Sequence, residues 1–213
     1  MIRVVIADDH TIVREGLRRI LLGHDDIEVA GEATNGHEVM DRVRAGGFDL
    51  LLLDLSMPGK SGVELIKQVK DEKPKLPILV LTMHEEEQYA LRALRAGASG
   101  YLTKESASDQ LVAAIRKIAS GRLFISPAVA EQLALDVMPR GDADAPAHKL
   151  LSDREFEVFR MLVEGRSVTD IATQLHLSVK TVSTHKTRVL EKLGVSSIAE
   201  LVRYAMAHRL FPE

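Results

Sequence analysis

At 213 residues with 46% hydrophobic side chains, the chain has the length and apolar content for one large or two modest globular domains. Having 0 cysteines excludes a disulfide framework, a thiolate metal site and a thiol nucleophile, and fits a reducing cytoplasm. The formal net charge of −3 is spread unevenly, with 16 Lys/Arg against 19 Asp/Glu over residues 1–121, 2 against 4 over 122–148, and 10 against 8 over 149–213.

The N-terminal apolar run breaks at Asp8, and no later apolar stretch approaches membrane-spanning length. We expect neither signal peptide nor anchor, no membrane partner, and a cytoplasmic location. Strand patterns at 2–7, 27–33, 50–54, 78–82 and 99–102 alternate with helix patterns at 11–22, 37–45, 62–72, 86–96 and 107–120. Such alternation implies βαβ units with right-handed crossovers, hence a doubly wound α/β domain over 1–121. Residues 122–148 read as a linker, helical over 127–138 and then flexible where Pro, Gly, Ala and Asp crowd from 139 to 148. Over 149–213 the pattern turns all-helical, with helices at 153–163, 168–174, 179–193 and 198–208. Ser152-Asp-Arg-Glu155 has the form of a capping box. The turn His176-Leu-Ser178 is short enough to make a helix-turn-helix, with Ser178 as its second cap.

The first domain is organised around Leu50–Asp54, four leucines running into a carboxylate. A continuous apolar run suits a strand buried on both faces of a five-stranded parallel sheet. In the common doubly wound order 2-1-3-4-5, strands one and three meet at the switch point, where ligands bind beyond the carboxyl ends. Asp8, Asp9 and Asp54 then converge, with Thr82 and Lys104 opposite. Three carboxylates repel one another unless a cation intervenes, and an all-oxygen set favours Mg²⁺. A lysine facing that cation suits an incoming phosphoryl group, and carboxylates are nucleophiles in aspartyl-phosphate chemistry. The central one, Asp54, is the expected phosphoacceptor. Any of these residues alone reads more simply as a turn, a strand end or a solvated lysine; the conjunction carries the reading. The neighbouring Gly59-Lys60-Ser61 ends like a nucleotide-binding loop. Asp54 fills that loop's first glycine position, where it would repel phosphates, so Lys60 is read as a solvated turn residue.

Asp8-Asp9, Asp54 ahead of Met57-Pro58-Gly59, Thr82 and Lys104 together resemble the receiver domains of two-component response regulators. The resemblance implies that a sensor histidine kinase phosphorylates Asp54. It further implies that Asp9, Asp54 and the Ser56 carbonyl bind Mg²⁺ with Asp8 acting through water, and that Thr82 and Tyr101 form a switch pair. Glu105 stands where many receivers carry proline.

On the helix at 179–193, Val182, Val189, Leu190 and Leu193 share one stripe, while the other face is polar, small and cationic. Following a tight turn, such a helix suits the major groove. Leu151-Ser-Asp-Arg-Glu155, Leu177-Ser-Val-Lys-Thr-Val182, His185 and Leu193-Gly-Val are similar to the LuxR/NarL-type DNA-binding domain. By that resemblance Ser183, Thr184 and Thr187 face bases, while Lys180, Thr181, Lys186 and Arg188 face the backbone. The last helix, through Leu201, Val202 and Ala205, is the expected dimer contact on a two-fold site.

The whole then reads as a NarL/FixJ-type response regulator: a dimeric, phosphorylation-switched transcription factor on double-stranded promoter DNA, with RNA polymerase a further candidate partner. It is not expected to be an enzyme toward outside substrates, although the receiver catalyses its own phosphoryl transfer and slow dephosphorylation. Two rival readings fit the residues less well. A haloacid-dehalogenase-type phosphatase needs a second acid at position 56, where serine stands, and an output domain that binds protein would lack steep salt dependence.

Overall fold

The computed structural model describes residues 1–57, 62–82, 87–137, 146–208 and 210–211. The expected turn at 58–61 with Lys60 and the linker stretch 139–145 lie outside the described residues. The chain divides into two compact units, Met1–Leu133 and Ala134–Glu213.

In the first unit β1 (Ile2–Ala7), β2 (Ile27–Ala33), β3 (Leu50–Asp54), β4 (Ile78–Thr82) and β5 (Gly100–Thr103) alternate with α1 (Thr11–Leu22), α2 (Gly36–Ala45), α3 (Gly62–Glu72), α4 (Glu87–Arg95) and α5 (Ala107–Ala119). All strand pairs are parallel and the order is β2-β1-β3-β4-β5, as expected. Leu50, Leu51, Leu52 and Leu53 are each 0% exposed because helices cover both faces of β3. Full burial of each such side chain is worth about 2 kcal/mol. The register pairs Ala7 with Leu53 and Asp54 with Leu81, so β1, β3 and β4 end at one level.

The far edge of the sheet is closed by the chain's own continuation. Phe124 bridges to Gly100 in parallel; the Tyr101 N–H donates to the Phe124 carbonyl and the Phe124 N–H to that of Ser99, both at 3.0 Å. Helix α6 (Pro127–Val137) follows and seats Val129 on Ala90 and Leu91 of α4, with Tyr101, Ile125 and Leu133 packed around them. Val129 and Leu133 are one helical turn apart, which puts both on the same face.

In the second unit a 3₁₀ turn, Ala147–Leu150, precedes α7 (Asp153–Val163), α8 (Val168–Gln174), α9 (Val179–Leu193) and α10 (Ile198–Ala207). The Ser152/Glu155 capping box starts α7, and Gly194, with φ 65°, ends α9 in the left-handed conformation. Within this unit His148 is buried, its backbone N–H donating to the Tyr204 hydroxyl at 3.2 Å. Among the described residues, no helix is long and apolar enough to cross a membrane.

Candidate functional site

The strand ends position the acidic site. The Asp8 N–H donates to Ala33 O at 3.1 Å and the Lys104 N–H to Thr82 O at 2.7 Å, pinning the loops after β1 and β5 to neighbouring strands. Lys104 Nζ thereby lies 2.6 Å from Asp8 Oδ2 and 2.8 Å from Asp54 Oδ2. Asp8, Asp54 and Thr82 are each 1% exposed. Asp54 Oδ1, away from the lysine, accepts from the Ser56 N–H at 3.0 Å. Asp9, with its side chain about a third exposed, stands at the mouth. The structure brings Asp8, Asp9, Ser56 and Lys104 together around Asp54.

Burial pushes the Asp54 carboxyl above its ordinary range, with the Lys104 hydrogen bond pulling the other way. Burial alone would lower the Lys104 ammonium, but its contacts with Asp54 and Asp8 outweigh it and carry it up. The lysine is therefore a fixed cation beside a buried carboxyl.

His10 is the neighbour that the sequence reading overlooked. Its Nδ1 lies 2.9 Å from Asp9 Oδ1 and 3.2 Å from Asp8 Oδ1, and its backbone N–H donates to Asp8 Oδ1 at 2.8 Å. Among the described residues, Asp8, Asp9, His10 and Asp54 form a group whose ligand atoms all lie within 4.8 Å of one another. The available signal was adjacency to the acid pair. Tyr101 is half-buried in the cluster formed with α4 and α6.

On α9, Val182, Val189 and Leu193 are buried and Leu190 is half-buried, as the periodicity requires. Lys180, Ser183, Thr184, Thr187 and Arg188 are exposed on the opposite face, while Thr181 and Lys186 are half-buried. The Ser178 hydroxyl caps α9 by accepting from the Thr181 N–H at 3.0 Å, and lies 2.8 Å from Thr181 Oγ1. Thr184 and Thr187 donate their hydroxyls to the Lys180 and Ser183 carbonyls, at 3.0 and 3.1 Å. With those protons engaged, their oxygens are left as acceptors toward solvent. The turn before α9 runs through His176 at φ 52°, a left-handed residue.

The expected dimer stripe needs correction. Leu201 and Ala205 are 0% and 2% exposed, because α10 packs that side on α7 within the same unit. The apolar periodicity marked the core-facing side of the helix. Val202 remains half-exposed and Met206 is 62% exposed, so the outward surface of α10 runs through these two.

Residues 4–116 match the response regulator receiver domain, and residues 149–205 match the luxR family of bacterial regulatory proteins. Response regulator UvrY of Escherichia coli (strain K12) is 37% identical over 210 residues, covering 99% of this chain and 96% of the relative. The oxygen regulatory protein NreC of Staphylococcus carnosus (strain TM300) is 38% identical over 213 residues, covering 98% of each chain. Among solved structures, RcsB from Salmonella enterica serovar Typhimurium bound to promoter rprA in the presence of phosphomimetic BeF3− is 32% identical. It superposes with a TM-score of 0.67, covering 97% of this chain and 100% of that one.

Proposed function

Because the chain belongs to the response regulators that join a receiver domain to a LuxR-type DNA-binding domain, we propose that it is a cytoplasmic transcription factor switched by phosphorylation of Asp54. A sensor histidine kinase is the phosphoryl donor, and the output is binding of a homodimer to two-fold promoter DNA. Residues 1–121 are the receiver, 122–148 the linker, which includes α6, and 149–213 the DNA-binding domain. The observation that carries the reading is the single ammonium of Lys104 held between two buried carboxylates at the switch point of the sheet. Such a pair is costly to bury and is suited to an anion arriving at Asp54.

The donor set fits Mg²⁺: Asp8, Asp9, Asp54 and the Ser56 carbonyl would hold it, and when bound it neutralises charge on the transferring phosphoryl oxygens. Lys104 then leaves Asp8 and Asp54 to bind a phosphoryl oxygen, and the Thr82 hydroxyl closes on another. Withdrawal of Thr82 gives Tyr101 room to repack. Since Tyr101 shares a cluster with Val129 and Leu133, its movement is felt by α6, the start of the connection to the DNA-binding domain. The receiver itself catalyses phosphoryl transfer and slow dephosphorylation. In the second domain Ser183, Thr184 and Thr187 face bases, and Lys180, Thr181, Lys186 and Arg188 the backbone. A second copy docks through the outer side of α10, around Val202 and Met206. Contact with RNA polymerase would follow at the promoter.

The test is fluorescence anisotropy with a duplex selected from a random library. The full chain is measured with and without acetyl phosphate, across a salt series. The reading expects tighter binding after phosphorylation and an affinity that falls steeply with salt. Salt-insensitive binding, or identical affinity in both states, would overturn it.

A further inference from the structure

The end of the sheet opposite Asp54 carries a cavity of about 580 Å³, within the size range of small-molecule sites. Its walls are the loop from α2 to β3, residues 46–49, and the loop from α3 to β4, residues 73–77. Hydrogen bonds hold both walls in place. Gly46 and Gly47, at φ 68° and 82°, turn the first loop through the left-handed region, and the Asp49 N–H then donates to Arg3 O at 2.7 Å. Lys70 Nζ staples the second loop by donating to Pro74 O at 3.3 Å and Leu76 O at 2.7 Å, while the Leu51 N–H donates to Pro77 O at 3.0 Å. Val43, 1% exposed, and the half-buried Phe48, Leu76 and Pro77 make the lining apolar.

Charge at the rim is unbalanced. Lys73 and Lys75 stand exposed there, two residues apart, and among the described residues neither ammonium has an ion pair or a hydrogen bond. Asp49 is the one acid among the described lining residues, and its Oδ2 already accepts from the Arg3 N–H at 2.8 Å. We propose that this cavity binds a small organic carboxylate, whose apolar aromatic or acyl body fills the space while its carboxylate meets the two lysines. Each half of that ligand answers a feature of the wall. The apolar lining gains by releasing water to the ligand's body, and two unpaired cations favour an anionic head over a neutral one. Such a ligand ties together the loops that open β3 and β4, the strands whose far ends carry Asp54 and Thr82. It is a site separate from the phosphoryl site by the length of those strands, and its occupancy does not require Asp54 to be phosphorylated.

The experiment titrates the ¹⁵N-labelled full chain with 2-naphthoate and with its neutral counterpart 2-naphthamide, wild type beside the double variant Lys73→Gln/Lys75→Gln. In the wild type, naphthoate should move the amides of residues 43–49 and 73–77 to saturation, with those of the second unit unmoved, and should bind more tightly than the amide. The variant should bind naphthoate about tenfold more weakly, since each exposed charge contact is worth a factor of about three, and bind naphthamide within about twofold of wild type. Both lysines are exposed, so the fold is expected to survive, and an unchanged gain of phosphoryl mass in the variant would verify it. No saturable shift at these amides, or shifts centred elsewhere, overturns the site. Equal affinity for the two probes, or an equal loss of both in the variant, overturns the anionic ligand. Each of those results leaves the phosphorylation of Asp54 untouched.

Discussion

Replacing Gly100 by alanine probes the junction between β5 and the segment that leads into α6. A Cβ at this position would lie 2.7 Å from Ile118 Cδ1, 2.9 Å from Phe124 O and 3.1 Å from Leu79 Cδ1. The Ile118 methyl can rotate away, but the carbonyl cannot. Moving it breaks the 3.0 Å bond that it accepts from the Tyr101 N–H and disturbs the one that the Phe124 N–H gives Ser99. Two backbone hydrogen bonds are worth about 1 kcal/mol each. Overpacking adds about 1.5 kcal/mol, and the usual gain from replacing a strand glycine with alanine offsets roughly 0.5 kcal/mol. The receiver should therefore lose about 3 kcal/mol, a fall in Tm of roughly 10 °C for a domain of this size. Scanning calorimetry of the full chain reads it, with the receiver transition identified by its upward shift in Mg²⁺. The second unit's transition should stay where it is. A receiver Tm at or above the wild-type value would refute the reasoning, because it would mean that the 124 bridge yields freely.

Lys104→Met should cost the Mg²⁺-free receiver about 3–5 kcal/mol, since it leaves two buried carboxylates without their cation. Urea melts should show the deficit shrinking as pH falls, because a protonated carboxyl needs no cation and burial already raises Asp54. Glu155→Gln should destabilise the second unit by about 1–2 kcal/mol, as it loses the Lys192 contact at 2.6 Å and weakens the bond accepted from the Ser152 N–H at 2.8 Å. Burial would raise the Glu155 carboxyl, but those partners hold it below its ordinary 4.5. Its contribution is therefore full above that pH and lost as pH falls through the depressed value. Wild type and variant should accordingly converge in acid. Lys180→Ala and Arg188→Ala should each weaken DNA binding uniformly across sequences and reduce the salt slope by about 1, whereas Thr184→Ala should change which sequence is preferred, as competition among duplexes would show.

Much of this architecture was legible because its signals are local. Leu50–Asp54 announces a strand covered on both faces and ending in a carboxylate. The Ser152/Glu155 box and the Ser178 cap announce helix starts, since each satisfies amides that the helix itself leaves bare. Less legible were features decided by what lies opposite. The periodicity of α10 correctly singled out Leu201 and Ala205 as apolar, but it could not say whether α7 or a second copy would cover them. Likewise Val129 and Leu133 gave no hint that their partner would be α4, because a linker and a docked helix share one composition. His10 was passed over for another reason. A histidine after two aspartates looks like a turn residue until its Nδ1 is seen 2.9 Å from Asp9.

The central claim is that Asp54 is the group that receives phosphate, and the mass of the intact protein after incubation with Mg²⁺ and acetyl phosphate tests it most directly. Wild type should gain the mass of one phosphoryl group and Asp54→Asn none. No gain in the wild type, or an equal gain in both proteins, would contradict the account.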